Sequence, residues 1–269
     1  PAASVGYRTQ PVAGFVLVLY TVALFIVWAV VAALAPVMLP EGLAHYLAGK
    51  GSTVLLVILG GAAMSVGLHM QLKIMGKIGM ILVTALNGSF SSIFGILITV
   101  IIAGLPKNVS LGLVVLSTVI LMLASYICQY ASVMRDRDNK ITEGGKQANA
   151  KIVLLLILSN LLVSCYPFGM SVGTLTESNP SGIPALLCVA FLATGSFLGV
   201  LISCPVDMTY NREWNAFLHP GGAKPILLAS LSGVCHYGGN ILGMLAAPMI
   251  SPAISFLFGR TANMWTYFW

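Results

Sequence analysis

Acidic residues are scarce in this chain: Asp and Glu together number 7 in 269 residues, and all charged residues make up 7 %. A soluble globular protein carries about 25 % charged residues, which keep its surface hydrated. Hydrophobic residues instead make up 58 %, and the mean hydropathy is +0.96. The shortage of charge therefore argues against a soluble globule and indicates a multi-pass integral membrane protein with little mass outside the bilayer.

The chain also lacks the alternation of polar and apolar residues over about ten positions that transmembrane β-strands show. Its apolar residues fall instead in runs of about twenty, the length at which a helix crosses the ~30 Å hydrocarbon core. The predicted fold is therefore an all-α, polytopic membrane helix bundle. The eight predicted spans are Pro11–Leu39, Ser52–Leu72, Ile78–Gly104, Leu111–Met134, Ile152–Met170, Ile183–Cys204, Pro225–Ala247 and Ser251–Trp269.

Lys and Arg are distributed unevenly between the two sides that eight crossings define. One side holds ten of them: Arg8, Lys73, Lys77, Arg135, Arg137, Lys140, Lys146, Lys151, Arg212 and Lys224. The other side holds Lys50 and Lys107. Because cytoplasmic loops are enriched in Lys and Arg, the first side is predicted to be cytoplasmic. This asymmetry accounts for the net charge of +6, so no nucleic-acid partner is needed to explain it.

Signals of catalysis and metal binding are missing. The five cysteines fall within or at the ends of apolar spans, without a C-x-x-C pair or a histidine at zinc spacing. They are interpreted as small buried hydrophobic residues. A membrane enzyme would show clustered acids or a nucleophile with its base, and neither is present. The sequence predicts no enzyme, no metal site and no cofactor.

The polar segment 135–151 divides the chain into two sets of four spans, residues 1–134 and residues 152–269. Many transporters pair two structural repeats, and a slide of 172 residues aligns Val54–Leu97 with Ile226–Trp269 without gaps. The aligned identities include Gly61 with Gly233. The second and third spans would then correspond to the seventh and eighth. Because five spans separate the two copies, the repeats are predicted to be inverted.

A resemblance to a known family rests on Leu228–Trp269. This segment contains a glycine-rich helix with Gly233 and Gly238-Gly239-Asn240, a short turn, and a helix ending in Trp265-Thr266-Tyr267-Phe268-Trp269. It resembles the penultimate helix pair of the drug/metabolite transporter superfamily, most closely the ureide-permease and glucose/ribose-porter branches. Gly60-Gly61 and the residues after it resemble the equivalent pair of the first half. The resemblance implies two inverted repeats and transport of a small metabolite.

Members of that superfamily have ten helices, whereas this chain has eight predicted spans. If the first predicted span corresponds to the second helix of the family, the first and the last helices are absent. An incomplete chain would explain both absences, and a natural eight-helix variant is the alternative interpretation.

Polar side chains inside the spans are expensive in lipid and are expected to face the bundle interior. Asn87 and Ser91 are i,i+4 neighbours, as are His236 and Asn240, so each pair shares a helix face. The candidate substrate-binding residues are Asn87, Ser91, Asn160, His236, Tyr237, Asn240 and Asn263. Amide, hydroxyl and imidazole groups suit a small polar neutral substrate such as a sugar, a nucleobase or a ureide. The alternative is that these groups hydrogen-bond neighbouring helices.

Acids are almost absent from the predicted spans, and Asp207 is expected in a loop. This argues against proton coupling through these helices and against export of cationic drugs. The predicted function is secondary transport of small polar metabolites by alternating access. The alternative is a non-transporting, carrier-like structural subunit of a larger membrane complex, for which the missing terminal helices are the argument. The expected partners are the substrate and the lipid bilayer, with a homodimer or a membrane complex as the assembly.

Overall fold

The computed structural model describes residues 11–78, 110–138, 150–176, 179–219 and 222–250, together with ten positions between 83 and 101. The described part is helical apart from two isolated β-bridges between residues 174 and 183. Its continuous helices are α1 (Val12–Met38), α2 (Leu43–Leu47), α3 (Gly51–Ile78), α4 (Leu111–Asp138), α5 (Ala150–Val163), α6 (Cys165–Gly173), α7 (Ala185–Tyr210), α8 (Trp214–Leu218) and α9 (Lys224–Ile250).

Four helices of the described part are long and apolar enough to cross a membrane: Val12–Met38, Gly51–Gly76, Ala150–Gly173 and Ala185–Tyr210. They coincide with the first, second, fifth and sixth predicted spans, which confirms the all-α class. The fourth and seventh predicted spans are also helical, as α4 and α9. Most of the third predicted span and all of the eighth lie outside the described residues. The count of eight spans therefore stays a prediction.

Two predicted spans differ from the helices in detail. The fifth is interrupted at Ser164, which separates α5 from α6. Pro167 lies one turn later, and its missing N–H and bulky ring disturb a helix at this position. The sixth was expected to end at Cys204, but α7 continues through Pro205 to Tyr210. The placement of Asp207 in a loop was therefore wrong: it lies in α7, where its carboxylate has partners on α3.

Helices α3 and α7 form the most extensive contact in the bundle, and they run in the same direction. Lys50, just before α3, donates to the carbonyl of Gly182, just before α7. Near their other ends Lys73 of α3 pairs with Asp207 of α7. Between these points a Cβ at Gly195 would lie 2.8 Å from Ile58 Cα. The glycines of the Gly195-x-x-x-Gly199 motif thus bring two backbones into close contact.

Helices α1 and α9 make a contact that resembles the one between α3 and α7. A Cβ at Gly233 of α9 would lie 3.3 Å from the carbonyl carbon of Leu19 and 3.5 Å from the nitrogen of Ala23 on α1. A Cβ at Gly61 of α3 would lie 3.0 Å from the equivalent atoms of Leu192 and Ser196 on α7. In both pairs a glycine faces residues i and i+4 of its neighbour. Gly61 and Gly233 are one of the identities that the 172-residue slide aligned.

The helix boundaries follow the same spacing. The order is a long helix (α1), a five-residue helix (α2) and a second long helix (α3). The same order recurs in α7, α8 and α9. Adding 172 to the bounds of the first set gives the bounds of the second within one residue. The predicted partners of α3 and α9, the third and eighth spans, lie largely outside the described residues. The inverted repeat of two-helix pairs stays a prediction.

Candidate functional site

Three aromatic side chains meet where α1 packs against α9. The ring of Tyr20 lies 6.0 Å from the rings of both His236 and Tyr237, measured between centroids, with interplanar angles of 80° and 78°. Edge-to-face arrangements of this kind are favourable for aromatic pairs. Tyr20 and Tyr237 are fully buried. Two predicted site residues, His236 and Tyr237, therefore share one interior cluster with a tyrosine that the sequence analysis did not select.

A chain of hydrogen bonds links this cluster to the α3–α7 contact. The Tyr237 hydroxyl donates to Ser196 Oγ over 2.7 Å. Ser196 Oγ in turn lies 3.1 Å from the Gly61 carbonyl and 2.9 Å from the Leu192 carbonyl. Because Ser196 is fully buried, each of these bonds satisfies a polar group that water does not reach. Tyr237 thus connects α9 with α7 and α3.

Other polar atoms of the same region have no hydrogen-bond partner among the described residues: Tyr20 Oη, His236 Nε2 and Asn240 Nδ2. All three atoms are buried, and Asn240 lies one turn after His236 on α9. An unpaired buried polar group costs about 1–3 kcal/mol. We name Tyr20, Ser196, His236, Tyr237 and Asn240 the Tyr20 cluster. It is a buried region in which three polar atoms lack a hydrogen-bond partner among the described residues.

Two other predicted site residues meet at a separate place. Asn160 Nδ2 of α5 lies 2.8 Å from Asn87 Oδ1 and 2.8 Å from the Leu156 carbonyl. Asn160 Oδ1 is buried and has no donor among the described residues. The Asn87–Asn160 bond is an interhelical hydrogen bond, the alternative role that the sequence left open.

The remaining predicted site residues, Ser91 and Asn263, lie outside the described residues. Tyr20 and Ser196 were missed. A hydroxyl between the two glycines of Gly195-x-x-x-Gly199 was a usable signal for Ser196, because small residues at this spacing are typical of helix contacts in membranes. Tyr20 stands in a strongly apolar helix beside Thr21, and only the packing of α9 against α1 reveals its neighbours.

A charged cluster lies near the end of the α3–α7 contact. Asp207 of α7 pairs with Lys73 of α3, and its other carboxylate oxygen faces His69 Nε2 at 3.3 Å. The side chains of His69 and Asp207 are 6 % and 14 % exposed. The sequence analysis did not select His69 as a site residue, and it assigned Asp207 to a loop.

Comparisons with protein-family models, with curated proteins and with solved structures find no match to this chain. The resemblance to the drug/metabolite transporter superfamily therefore rests on the residues that carry it. Among the described residues, no group of three or more His, Cys, Asp or Glu side chains is arranged to hold a metal ion. The groups gathered in the Tyr20 cluster are hydroxyl, imidazole and amide groups, which can donate and accept hydrogen bonds.

Proposed function

We propose that this protein is a secondary transporter of small polar metabolites that works by alternating access, with the Tyr20 cluster as part of its substrate site. The observation that carries the proposal is the set of buried polar atoms without partners: Tyr20 Oη, His236 Nε2 and Asn240 Nδ2. A polar substrate seated here would supply the missing hydrogen bonds, and the aromatic rings would supply apolar walls. Binding sites of small molecules commonly combine these two features.

The placement of the cluster supports a transport role. It lies at the contact of α1 with α9, and through Ser196 it reaches α7 and α3. These four helices belong to the two sets that share the 172-residue spacing. Transporters built from repeats bind substrate at the interface between them. The same spacing supports the proposed membership in the drug/metabolite transporter superfamily and the proposed inverted repeats.

The chemistry of the cluster favours a neutral substrate. Its five side chains bear no carboxylate and no ammonium or guanidinium group. A charged substrate would need a charged partner in a region removed from water. A sugar, a nucleobase and a ureide each offer the neutral donors and acceptors that this set can pair.

A thermal-shift screen of the purified protein tests the proposal, because a ligand that binds the folded state raises the apparent stability. We expect one of glucose, uracil and allantoin, which represent the three classes, to raise the unfolding temperature. The Tyr20→Phe variant removes a hydroxyl that has no partner without substrate, so it should unfold at the wild-type temperature or above and lose part of the ligand-induced shift. Tyr126→Phe is the matched control, because Tyr126 is 65 % exposed on α4.

The proposal fails if wild type and Tyr20→Phe respond identically to the compound that binds. Copurification in a fixed ratio with other membrane proteins, without any response to these compounds, would instead favour the structural-subunit alternative.

A further inference from the structure

The charged cluster of His69, Lys73 and Asp207 is not used by the proposed substrate site. Two of its members lie on α3, one turn apart, and the third lies on α7 near the end of the helix. The Lys73 side chain is 34 % exposed, whereas the His69 side chain is 6 % exposed. The cluster is thus open to water at Lys73 and closed at His69. By the distribution of Lys and Arg, its open end is predicted to face the cytoplasm.

The two carboxylate oxygens of Asp207 have different surroundings. Oδ1 accepts from Lys73 and also from Asn211 Nδ2, which lies 2.8 Å away. Oδ2 faces His69 Nε2 at 3.3 Å. Although this distance is short enough for an ion pair, neither Oδ2 nor Nε2 takes part in a well-oriented hydrogen bond among the described residues. The imidazole and the carboxylate therefore meet at a position that can accommodate one proton.

We propose that the His69–Asp207 pair is a proton-binding site and that its proton is the coupling ion of transport; the coupling rests on the proposed function. The proton comes from water at the Lys73 end and bonds to the lone pair of His69 Nε2, and the new N–H donates to Asp207 Oδ2. Such a charge-assisted hydrogen bond is stronger than a neutral one. Release breaks the N–H bond and returns the proton to water.

The charges explain why proton binding alters the structure. With a neutral imidazole, Lys73 and Asp207 cancel each other. Binding of a proton at His69 adds one positive charge in a region where charge is poorly solvated. The imidazolium then replaces Lys73 as the partner of Asp207, and Lys73, the most exposed of the three, turns to water. The partner of Asp207 on α3 thus shifts by one helical turn.

Other groups around the pair are few in the described part of the chain. His69 Nδ1 lies 3.8 Å from Cys204 Sγ on α7, and Cys204 and Tyr20 of α1 belong to the same buried hydrophobic core. Lys151 of α5, which packs on α3, has an exposed side chain. Since Tyr20 belongs to the proposed substrate site, one packed core connects that site with the residue that touches His69. Substrate binding and proton binding can influence each other through this packing.

Infrared difference spectroscopy tests proton binding on the purified full chain in lipid nanodiscs. Histidine changes charge between about pH 5 and pH 8, so spectra are compared over that range. We expect imidazole bands together with a perturbed carboxylate band; in His69→Gln the carboxylate band should be lost and the imidazole signal should fall to that of the three remaining histidines. If His69→Gln does not fold, Asp207→Asn is the second variant. It should lose the carboxylate band. His45→Gln is the matched control, since the His45–Glu41 pair is exposed, at 64 % and 59 %.

The outcome that overturns the proton site is a folded His69→Gln protein, or a folded Asp207→Asn protein, with the wild-type spectrum. This result does not depend on any transport activity. A proton site that is confirmed while no compound is transported would contradict the proposed function alone.

Coupling is measured in proteoliposomes loaded with a pH-sensitive dye, using whichever of glucose, uracil or allantoin binds. We expect uptake of that compound to move protons and an imposed pH gradient to drive its accumulation. In His69→Gln both effects should be lost while exchange at equal concentrations persists. Wild-type uptake without proton movement would refute the coupling and leave transport intact.

Discussion

The close approach of α3 to α7 at Gly61 supports a quantitative prediction for Gly61→Ala. The new Cβ would lie 3.0 Å from two backbone atoms of α7, the Leu192 carbonyl carbon and the Ser196 nitrogen, whereas carbon atoms in contact prefer about 3.5–4.0 Å. The Leu192 carbonyl oxygen would lie closer still, so the two helices must separate. Overpacking of this kind costs about 1–3 kcal/mol.

Separation of α3 from α7 would also weaken the hydrogen bond from Ser196 Oγ to the Gly61 carbonyl, now 3.1 Å long. Loss of such a bond adds about 0.5–1.5 kcal/mol. Gly76→Ala is the matched control, because Gly76 lies on the same helix with nothing within 4 Å of its added Cβ. Replacing a helical glycine by alanine in open space stabilises by about 0.5–1 kcal/mol. Together these figures separate the two variants by about 2–5.5 kcal/mol in unfolding free energy.

Denaturant unfolding in detergent, followed by circular dichroism, measures this difference. Gly233→Ala provides an internal comparison, since its Cβ would meet α1 at 3.3 Å and 3.5 Å. We expect Gly76→Ala to be the most stable of the three variants, Gly233→Ala to be intermediate and Gly61→Ala to be the least stable. Equal stability of Gly61→Ala and Gly76→Ala would refute the close contact between α3 and α7.

Three further predictions concern the site and the topology. Asn240→Leu keeps similar bulk and removes an unpaired amide, so binding of the compound found in the screen should weaken by about 1–3 kcal/mol; unaltered uptake by the correctly inserted variant would place the site elsewhere. Tyr237→Phe removes the 2.7 Å hydrogen bond to Ser196 and should destabilise the fold by about 0.5–1.5 kcal/mol, whereas Tyr126→Phe should not. A double-mutant cycle with Ser196→Ala checks that the lost stability belongs to this pair. A cysteine placed at Asn139 should resist an impermeant label in intact cells and react after permeabilisation, and labelling of intact cells would invert the topology.

Periodicity and composition predicted the helices of the described part well, because a helix in lipid satisfies its own backbone groups and needs only a long apolar run. The ends of the helices were less predictable. The sixth span was predicted to end at Cys204 with Asp207 in a loop, yet α7 continues to Tyr210. The helix tolerates an acid there because Lys73 and His69 of α3 lie beside it. These partners are 134 and 138 positions away in the chain, and local sequence contains no sign of them.

The same reasoning applies to the candidate site. The sequence by itself determined which polar groups lie within apolar helices, and so identified His236, Tyr237 and Asn240 on one stretch of α9. Only the tertiary structure decided that Tyr20 and Ser196 complete their cluster, and that Asn87 pairs with Asn160 instead. The physical reason is that the cost of a polar group in lipid depends on its residue type, whereas its hydrogen-bond partner depends on which helices pack together.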